Sequence, residues 1–367
     1  MPECKKDILN YDRESLEILF SDIGEPAYRA GQLMDWVYRK KVDDFSQMTN
    51  FPKSLMDRLK KNFQIGSLQH IKTVSTRDGT AKYLWRLWDG HTIETVLIPG
   101  KRRRTVCLSS QAGCRFRCPF CASGAKGLIR QLDPAEMVGQ VFFVQRLYEE
   151  KVTHVVFMGI GEPLDNWNNL VRALQILNSP EGMTIGARRI TISTCGLVPG
   201  IKKLQHFGLQ VELSVSLHAV NDRLRDRLVP VNRTYKLSRL LAACKEYREV
   251  TGRVITFEYA LIEGINDDDE DARRLAEIAR SMKAKINLIP CSPVGRAKFR
   301  GTPERKLLHF RDIICDYGAL VTVRNSKGSG IQAACGQLAL DRMEDKNGEA
   351  KTALRTGFVK GRQEGWE

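Results

Sequence analysis

Apolar residues recur at helical spacing through the first part of the chain. Leu16 and Phe20 are four residues apart, as are Leu33 and Val37, so each pair lies on one face of a helix. Polar and charged residues occupy most of the positions between them. The pattern predicts a small helical accessory domain over residues 1–70.

The period of the apolar positions changes near residue 71. Trp85 and Leu87 alternate with polar residues, which is the two-residue period of a half-buried strand. A second apolar set runs from Ile93 to Ile98 and ends at a Pro-Gly turn. We therefore expect a short β extension over residues 71–100, built from one antiparallel pair of strands.

Beyond residue 100, short apolar runs of strand length alternate with longer amphipathic segments. The strand-like runs are 105–109, 153–158, 189–193, 211–217, 254–260 and 285–289. The helix-like segments are 134–150, 166–178, 237–250, 268–282 and 303–317. Strands that alternate with helices pair in parallel, so the pattern predicts an α/β fold. Six such units and a last strand at 320–324 predict an incomplete (βα)6 barrel of the TIM type over residues 101–340, followed by a loose tail over 341–367.

The charge balance narrows the class of partner. Lys and Arg number 58 against 43 Asp and Glu, which gives a formal net charge of +15. Such a surplus favours nucleic acid as a partner over an anionic membrane surface. For the helical domain over residues 1–70, two interpretations stay open: a cap on the larger domain, or a separate RNA-binding role.

Several sequence features favour a cytoplasmic protein. No apolar run approaches the roughly 18–20 residues that a membrane-spanning helix needs. The first residues lack the hydrophobic stretch of a signal peptide. In a reducing compartment, the ten cysteines are better explained as metal ligands, reactive thiols or small core residues than as disulfides.

Three cysteines, Cys114, Cys118 and Cys121, follow the first predicted barrel strand with C-x3-C-x2-C spacing. Three thiolates on one loop can hold three irons of a four-iron cubane cluster and leave the fourth iron free for a small molecule. The alternative is a structural zinc site, which prefers four ligands in paired motifs. No fourth Cys or His stands at a matching distance, and the nearest cysteine, Cys107, is seven residues upstream. The spacing therefore favours an iron–sulfur cluster.

Other unusual residues follow the later strands. They are Gly161, Glu162, Ser193, the segment Ser216, Leu217 and His218, and Asn287. Each has an ordinary structural explanation when taken alone, such as a turn, a helix cap or a core histidine. Because the active sites of βα barrels lie at the carboxyl ends of the strands, together they predict one rim beside the cysteine loop.

Basic residues are concentrated around the same loop. Residues 101–130 contain eight Lys and Arg and no Asp or Glu. A basic run is most often a solvated surface, but beside a predicted active site it favours contact with a phosphate backbone.

These motifs together resemble those of a known family. The cysteine triplet, the Gly161-Glu162-Pro163 motif, Cys107 and the late sequence Ala-Ala-Cys335-Gly-Gln-Leu are similar to those of the RlmN and Cfr family of radical S-adenosylmethionine (SAM) RNA methyltransferases. The triplet alone identifies only the radical SAM superfamily, whereas the added motifs make the match specific. One departure lies just before the Ala-Ala-Cys335 sequence. Family members often carry acidic residues on either side of the isoleucine at this place, whereas here Ile331 is flanked by Gly330 and Gln332.

The resemblance implies a reaction at an aromatic ring carbon. The family methylates an adenine of 23S rRNA at C2 or, in the Cfr branch, at C8, and some members also act on a tRNA adenine beside the anticodon. The Gly-Glu-Pro-Leu-Asp-Asn stretch is more similar to the C2 branch. The implied route begins with methylation of Cys335 by one SAM. A second SAM then yields a radical that takes hydrogen from this methyl group, whose carbon adds to the adenine.

The resemblance also assigns the later steps. Glu94 is implied as the acceptor of the ring proton, and Cys107 as the thiol that attacks the sulfur of Cys335. The resulting Cys107–Cys335 disulfide must be reduced before the next turnover. We expected the basic residues 102–104 to favour the thiolate form of Cys107.

The implied cofactors are a [4Fe–4S] cluster on the cysteine triplet and two SAM molecules per turnover. Gly161 and Glu162 are implied at the amino end of SAM, Ser193 and Asn287 as polar contacts, and Ser216, Leu217 and His218 at its ribose and adenine. The implied partners are 23S rRNA, tRNA and a flavodoxin- or ferredoxin-like electron donor. The enzyme itself is expected to be a monomer. Two alternatives remain: a radical enzyme with a substrate other than RNA, and a zinc-stabilised RNA-binding protein without catalytic activity.

Overall fold

The amino-terminal residues form a helical unit, as predicted. A computed structural model describes residues 5–292, 299–324 and 328–339, so the tail predicted over 341–367 lies outside the described residues. The helices are α1 (Arg13–Asp22), α2 (Tyr28–Met34) and α3 (Lys53–Asn62), and two short parallel strands, β1 (Lys6–Asp7) and β2 (Phe63–Gln64), pair beside them. Helix α1 begins after Asp12 because the Asp12 carboxylate accepts a hydrogen bond from Ser15 N at 2.9 Å.

The helical unit shares a hydrophobic core with the rest of the protein. Leu16 and Phe20 of α1 are fully buried, and so is Leu9 just before it. Asn10 Oδ1 accepts a hydrogen bond from Ala135 N at 2.9 Å, and Arg172 donates to the Asn10 carbonyl at 2.7 Å. These contacts fix the unit against the helices that follow the first barrel strands.

Ten strands form the main sheet of the described part of the chain. Their order is β14-β13-β12-β11-β10-β9-β6-β5-β4-β3. The antiparallel strands are β3 (Gln69–Ser75), β4 (Ala81–Arg86) and β5 (Thr92–Ile98). The parallel strands are β6 (Thr105–Cys107), β9 (His154–Phe157), β10 (Ile190–Thr194), β11 (Glu212–Ser216), β12 (Thr256–Leu261), β13 (Lys285–Pro290) and β14 (Leu320–Val323). A separate hairpin joins β7 (Gln111–Gly113) to β8 (Leu128–Gln131).

The predicted β extension has one strand more than expected. Strands β4 and β5 are the predicted pair, and β5 continues into β6, so the extension and the barrel form one sheet. The additional strand, β3, shows no clean alternation in the sequence. Its register shifts between His70 and Lys72, and the strand is largely exposed at the sheet edge, so its apolar residues do not mark one face.

The long helices between the strands follow the predicted segments closely. They are α4 (Pro134–Tyr148), α5 (Trp167–Asn178), α8 (Leu237–Thr251), α9 (Asp269–Ser281) and α10 (Glu304–Asp316). Two seven-residue helices, α6 (Val198–Leu204) and α7 (Asp222–Leu228), were not predicted, because two turns give too few positions to establish a period. Helix α4 starts with a reciprocal cap, in which the Asp133 side chain accepts from the backbone of Glu136 and the Glu136 carboxylate accepts from Asp133 N at 3.0 Å.

The predicted α/β class with a small amino-terminal domain is confirmed. The parallel strands and their helices form an open, barrel-like unit, and the antiparallel strands extend it on one side. Among the helices of the described residues, none has the length and apolar character required to cross a bilayer.

One buried carboxyl group in α9 predicts a pH-dependent stability. Burial, together with the nearby Asp268 carboxylate, raises the pKa of Asp271 to about 6. A carboxyl pKa that is raised by folding stabilises the folded state at low pH, and this contribution is lost as the pH rises through the folded pKa. We expect the free energy of unfolding of Asp271→Asn to gain about 1.4 kcal/mol relative to the wild type between pH 5 and pH 8. Urea unfolding at both pH values measures this, and the exposed Glu277→Gln on the same helix should show no such change.

Candidate active site

The three cysteines of the triplet line one cavity at the carboxyl ends of the parallel strands. Cys114, Cys118 and Cys121 lie in the segment between β7 and β8, and all three contribute to the wall of this cavity of about 160 Å³. We call it the cofactor cavity. The other walls come from residues in or just after the carboxyl-terminal halves of β9, β10, β11 and β12, including Gly161, Glu162, Ser193, Ser216 and His218.

The cysteine loop is folded tightly on itself. A Cβ on Gly124 would lie 2.7 Å from the Cα of Arg117, so only glycine allows this approach of the two backbone segments. Cys114 N donates to the Gly127 carbonyl at 3.0 Å. The loop is also joined to the segment after β9, because the Arg115 guanidinium lies 2.9 Å from the Asp165 carboxylate.

The arrangement of the three thiols fits an iron–sulfur cluster. Burial raises the pKa of Cys114 to about 12 and also raises that of Cys118, so a positive metal centre is needed to hold them as thiolates. Four ligands around a single zinc ion lie about 3.8 Å apart, given zinc–sulfur bonds of about 2.3 Å. Within the described residues, no three Cys, His, Asp or Glu side chains converge in this way. Three thiols that line one cavity without converging on a single metal position suit a cluster in which each thiolate binds a different iron.

The motif after β9 is held by a network around Gly161 and Glu162. Gly161 has φ +105, and a Cβ there would lie 2.5 Å from the Cβ of Gln111. Gln111 Oε1 accepts from Glu162 N at 2.8 Å. The two Glu162 carboxylate oxygens accept from Leu164 N at 3.1 Å and from Cys195 N at 2.8 Å. Burial raises the pKa of Glu162, and these backbone donors oppose the rise.

The residues after β11 present one histidine nitrogen to the cavity. His218 has a left-handed backbone with φ +56, and its Nδ1 accepts from Ala260 N at 2.9 Å. Burial lowers the pKa of His218 to about 3, so the ring is neutral and carries its proton on Nε2. Leu217 is fully buried in the core, its N–H donates to the Glu258 carbonyl at 3.0 Å, and its own carbonyl accepts from Ala219 N at 2.8 Å.

A buried arginine that the sequence analysis missed donates hydrogen bonds to the backbone of these segments. Arg225 of α7 is fully buried and donates to the carbonyls of Cys195 at 2.7 Å, Ser216 at 3.1 Å and Leu217 at 3.1 Å. It also donates to Asn232 Oδ1 at 3.0 Å. One side chain therefore holds the ends of β10 and β11 together. The sequence gives no signal for this role, because Arg225 is one of three arginines in a short charged segment.

A second cavity fills the interior of the barrel. This lumen cavity has a volume of about 650 Å³ and is lined mainly by side chains that point inward from the strands. Asn287 lies here and not on the wall of the cofactor cavity, because it is in the middle of β13 and only Ile289 and Pro290 reach that wall. Asn287 Nδ2 donates to Glu258 Oε1 at 3.1 Å.

The two cysteines implied in catalysis lie on the wall of the lumen cavity. Cys107 ends β6, and Cys335 lies on the carboxy-terminal segment that the structure describes. Cys335, Glu258 and Arg324 also line the cofactor cavity, so they stand at the boundary between the two spaces. The sequence analysis missed Glu258, although a carboxylate inside a buried strand is itself a signal of function.

The electrostatic environment of Cys107 differs from the prediction. Burial raises its pKa to about 12, the proximity of Cys335 adds to this rise, and Arg324 opposes it. The expectation that residues 102–104 favour the thiolate was wrong, because the positive charge that opposes the rise is that of Arg324. Arg104 lies 3.1 Å from the Glu150 carboxylate, and Arg103 Nε donates to Thr105 Oγ1 at 3.1 Å. The cation that acts on both cysteines is Arg324.

Glu94 helps to anchor the segment that carries Cys335. Its Oε1 lies 2.7 Å from Lys82 Nζ, and its Oε2 accepts from Ala339 N at 3.0 Å. Lys82 also donates to the Gln332 carbonyl at 3.2 Å, so this ion pair anchors the segment on both sides of Cys335.

The Cys335 segment is also joined to the cysteine loop. Ala122 N donates to the Gly336 carbonyl at 2.7 Å, and Ser123 Oγ donates to the Leu338 carbonyl at 2.9 Å. Cys335 is therefore held directly beside the triplet, between the two cavities.

Comparison with known proteins identifies the family. Residues 108–276 match the Radical SAM superfamily, and residues 6–65 match the Ribosomal RNA large subunit methyltransferase N-terminal domain. A protein of Desulforamulus reducens named "Probable dual-specificity RNA methyltransferase RlmN" is 44% identical over 94% of this chain and 98% of its own length. The chain belongs to the RlmN family of radical SAM RNA methyltransferases. A protein of the same name from Thermotoga maritima is 43% identical over 93% of this chain and 100% of its own length.

A solved structure agrees with the assignment to the RlmN family. The crystal structure of a radical SAM methyltransferase from Sphaerobacter thermophilus is 44% identical in sequence and superimposes with a TM-score of 0.88. It covers 91% of this chain and 99% of its own length. The predicted family, fold and class of enzyme are thus confirmed. Family membership also implies the predicted [4Fe–4S] cluster and SAM, and the predicted cluster ligands Cys114, Cys118 and Cys121 line the cofactor cavity.

The basic run of this RlmN-family chain is less available to RNA than its sequence indicates. Arg130 lies 2.6 Å from the Asp89 carboxylate and 2.7 Å from the Glu136 carboxylate. Arg104 and Arg115 also pair with carboxylates. Several of the eight basic residues therefore stabilise the fold, because acidic partners from other segments meet them in three dimensions.

Proposed function

We propose that this RlmN-family enzyme methylates C2 of an adenine in 23S rRNA and an adenine beside the anticodon of tRNA. The term "dual-specificity" in the names of its relatives supports two RNA substrates. The observation that carries the proposal is the placement of Cys107 and Cys335. These residues are 228 positions apart, yet both line the lumen cavity, and Cys335 also faces the cofactor cavity.

The target carbon requires an unusual route. C2 of adenine lies between two ring nitrogens and is not a nucleophile, so direct transfer of a methyl cation from SAM does not reach it. Cys335 acts as the methyl carrier, and one SAM methylates its Sγ. A [4Fe–4S] cluster held by Cys114, Cys118 and Cys121 would supply the electron for radical chemistry on a second SAM. The methyl group of Cys335 then becomes the carbon that joins the adenine, so one turnover consumes two SAM molecules.

Cys107 completes the reaction by attacking Sγ of Cys335. The attack forms the Cys107–Cys335 disulfide and breaks the bond between Sγ of Cys335 and the transferred carbon, which leaves with the electron pair and takes up a proton to become the methyl group of the released base. Attack requires the Cys107 thiolate, which burial disfavours and Arg324 favours. The positive charge of Arg324 therefore serves the step at which the thiolate is needed.

We propose that Glu94 accepts the proton that leaves C2 of the adenine. Its carboxylate lies beside the Cys335 segment and is held by Lys82 and Ala339. Each carboxylate oxygen retains a second lone pair, so the anchoring contacts leave room for a proton. Glu94→Gln tests the assignment, since the amide keeps much of the anchoring but cannot accept a proton.

The remaining assignments concern SAM and the partners. We place the amino end of SAM at Gly161 and Glu162, and its ribose and adenine beside Ser193, Ser216 and the Nε2–H of His218. Leu217 supports this wall from behind through the hydrogen bond from its N–H to the Glu258 carbonyl, and Asn287 acts through the Glu258 carboxylate. The adenine must be flipped out of its stack to reach Cys335. We further propose a cytoplasmic monomer that receives electrons from a flavodoxin- or ferredoxin-like protein.

Mass spectrometry of the RNA product tests the proposal. The anaerobic holoenzyme is incubated with a 23S rRNA fragment or with tRNA, SAM and a reductant, and the nucleosides are then analysed. We expect 2-methyladenosine from both RNAs. 8-Methyladenosine would place the enzyme in the Cfr branch, and unchanged adenosine in both RNAs would point to a different substrate. Iron and sulfide analysis of the same preparation distinguishes the cluster from zinc.

A further inference from the structure

Glu258 carries an unused hydrogen-bond acceptor inside the lumen cavity. Its side chain lies in the middle of β12, is only 4% exposed and lines this cavity. Oε1 accepts from Asn287 Nδ2 at 3.1 Å, whereas Oε2 is buried and has no hydrogen-bond partner among the described residues. Buried polar atoms in folded proteins nearly always have a partner. Oε2 is therefore available to a group that enters the lumen.

A row of three polar side chains fixes the orientation of this carboxyl group. Glu258, Asn287 and Thr322 are register partners on the adjacent parallel strands β12, β13 and β14, so they share one face of the sheet. All three line the lumen. Thr322 Oγ1 donates to Asn287 Oδ1, which directs the amide nitrogen of Asn287 toward Glu258 Oε1. The row thus occupies Oε1 and leaves Oε2 free.

The charges around the lumen favour Glu258 as the acceptor for a substrate. Burial raises the pKa of Glu258, and the positive charge of Arg324 opposes this rise, so the carboxylate form has support. The described lumen wall contains one other carboxylate, Glu212, whose charge is paired with Arg253. Glu258 therefore provides the carboxylate oxygen of this wall that no cation or amide occupies.

The proposed function brings the target base into the lumen. The adenine must meet Cys335 and Cys107, and both line this cavity. Its volume of about 650 Å³ is within the range of roughly 300–1,000 Å³ found for small-molecule sites, so a flipped base has room there. Burial raises the pKa of Cys335, and the charge of Glu258 adds to this rise. The carboxylate and the methyl carrier are therefore close enough to act on the same base.

The hydrogen-bonding groups of adenine match a free carboxylate oxygen beside Cys335. Along one edge the base presents C2, then N1 and then the 6-amino group. With N9 bonded to ribose, this amino group is the only hydrogen-bond donor of the base. Hypoxanthine has a carbonyl oxygen at the same position, and unsubstituted purine has only a C–H. A carboxylate oxygen therefore accepts from adenine, repels hypoxanthine and gains no hydrogen bond from purine.

We propose that Glu258 selects adenine, because its Oε2 accepts a hydrogen bond from the 6-amino group while C2 faces Cys335. This inference rests on the proposed function, which brings the base to the cysteines, and adds the group that recognises it. Asn287 and Thr322 are positioning residues, since they act through Oε1. A base without the amino group is rejected because it leaves the buried Oε2 without a partner.

The affinity of the anaerobic holoenzyme for three RNAs tests this assignment without turnover. The 23S rRNA fragment carries adenosine, purine riboside or inosine at the target position, and fluorescence anisotropy without SAM gives each dissociation constant. In Glu258→Gln the amide oxygen continues to accept from Asn287, so an N–H donor takes the place of Oε2. Glu212→Gln is the matched control, since Glu212 lines the same cavity but is paired with Arg253.

We expect the wild type to bind the adenosine RNA at least 10-fold more tightly than the purine RNA, and the inosine RNA more weakly still. Glu258→Gln should reverse the order and bind the inosine RNA most tightly, because its N–H donates to the carbonyl oxygen of hypoxanthine. Glu212→Gln should keep the order of the wild type. The wild-type series decides the matter even if Glu258→Gln does not fold.

Two results would overturn the role of Glu258 in recognition of the base. One is equal affinity of the wild type for the adenosine and purine RNAs. The other is an unchanged order of the three RNAs in Glu258→Gln. If calorimetry also showed weaker SAM binding by that variant, the carboxylate would belong to the SAM site, since Glu258 lines the cofactor cavity as well.

Product analysis separates this inference from the proposed function. Formation of 2-methyladenosine by a wild type that binds all three RNAs equally would refute the role of Glu258 alone. The expected order of affinities together with methylation at another carbon would support the role of Glu258 and refute the proposed C2 specificity.

Discussion

Replacement of Cys107 by alanine is expected to leave the RNA covalently attached to Cys335. In the proposed reaction, the methyl carbon on Cys335 joins the adenine before Cys107 is needed. Without the Cys107 thiol, the described residues of the lumen wall offer no other thiol to attack Sγ of Cys335, so the adduct persists. We expect turnover to fall at least 100-fold and the adduct to approach one RNA per enzyme. A gel shift of labelled RNA under denaturing conditions measures the adduct, and mass spectrometry of the nuclease- and trypsin-treated protein locates it.

Two further variants complete the experiment. Cys244→Ala is the matched control, because Cys244 is a fully buried cysteine on α8 that lines neither cavity among the described residues. This variant should turn over normally and form no adduct. The double variant Cys107→Ala/Cys335→Ala should also form none, since the carrier is absent. Release of methylated RNA by Cys107→Ala at the wild-type rate would exclude the role of Cys107.

The regular elements were predictable because each has a period that is independent of the rest of the fold. Strands such as β10 and helices such as α9 lie within one or two residues of their predicted ends. The sequence was insufficient where an element is too short or too polar to show a period. Helix α7 has only two turns, and β3 has an irregular register at the sheet edge. Tertiary contacts define both.

The rim of the cofactor cavity was predictable for a topological reason. The carboxyl ends of parallel strands meet at one edge, so residues such as Gly161, Ser193 and His218 had to lie near the cysteine loop. Asn287 shows the limit of this argument, because one strand carries side chains at several depths. A shift of two or three residues along β13 places a side chain in the lumen rather than on the rim.

Electrostatic relations were the least predictable part of the site. The sequence placed a cluster of arginines close to Cys107, but proximity along the chain did not determine which charge acts on the thiol. The cation is Arg324, more than 200 residues away, and the nearby Arg104 is paired with Glu150. Charge counts along a sequence cannot include partners that only the fold brings together.

Arg225 should show the largest effect on stability of any residue outside the catalytic groups. Its side chain satisfies the buried carbonyls of Cys195, Ser216 and Leu217. Arg225→Met keeps a similar volume but supplies no donor, so the carbonyls of Cys195 and Ser216 lose this partner, and that of Leu217 keeps only its bond from Ala219 N at 2.8 Å. Each orphaned acceptor costs about 1–3 kcal/mol, and we expect a loss of roughly 3–5 kcal/mol in the free energy of unfolding. Urea unfolding measures the loss.

The same variant also tests whether Arg225 maintains the SAM site. Because Arg225 joins the ends of β10 and β11, its loss should separate Ser193 from Ser216 on opposite parts of the cavity wall. We expect SAM binding, measured by calorimetry on the folded holoenzyme, to weaken at least 10-fold. Arg227→Met is the control, since Arg227 lies on the same helix but is exposed and should change stability by less than about 0.5 kcal/mol. If Arg225→Met and Arg227→Met behaved alike, the three carbonyls would have to find other donors, and Arg225 would not organise the site.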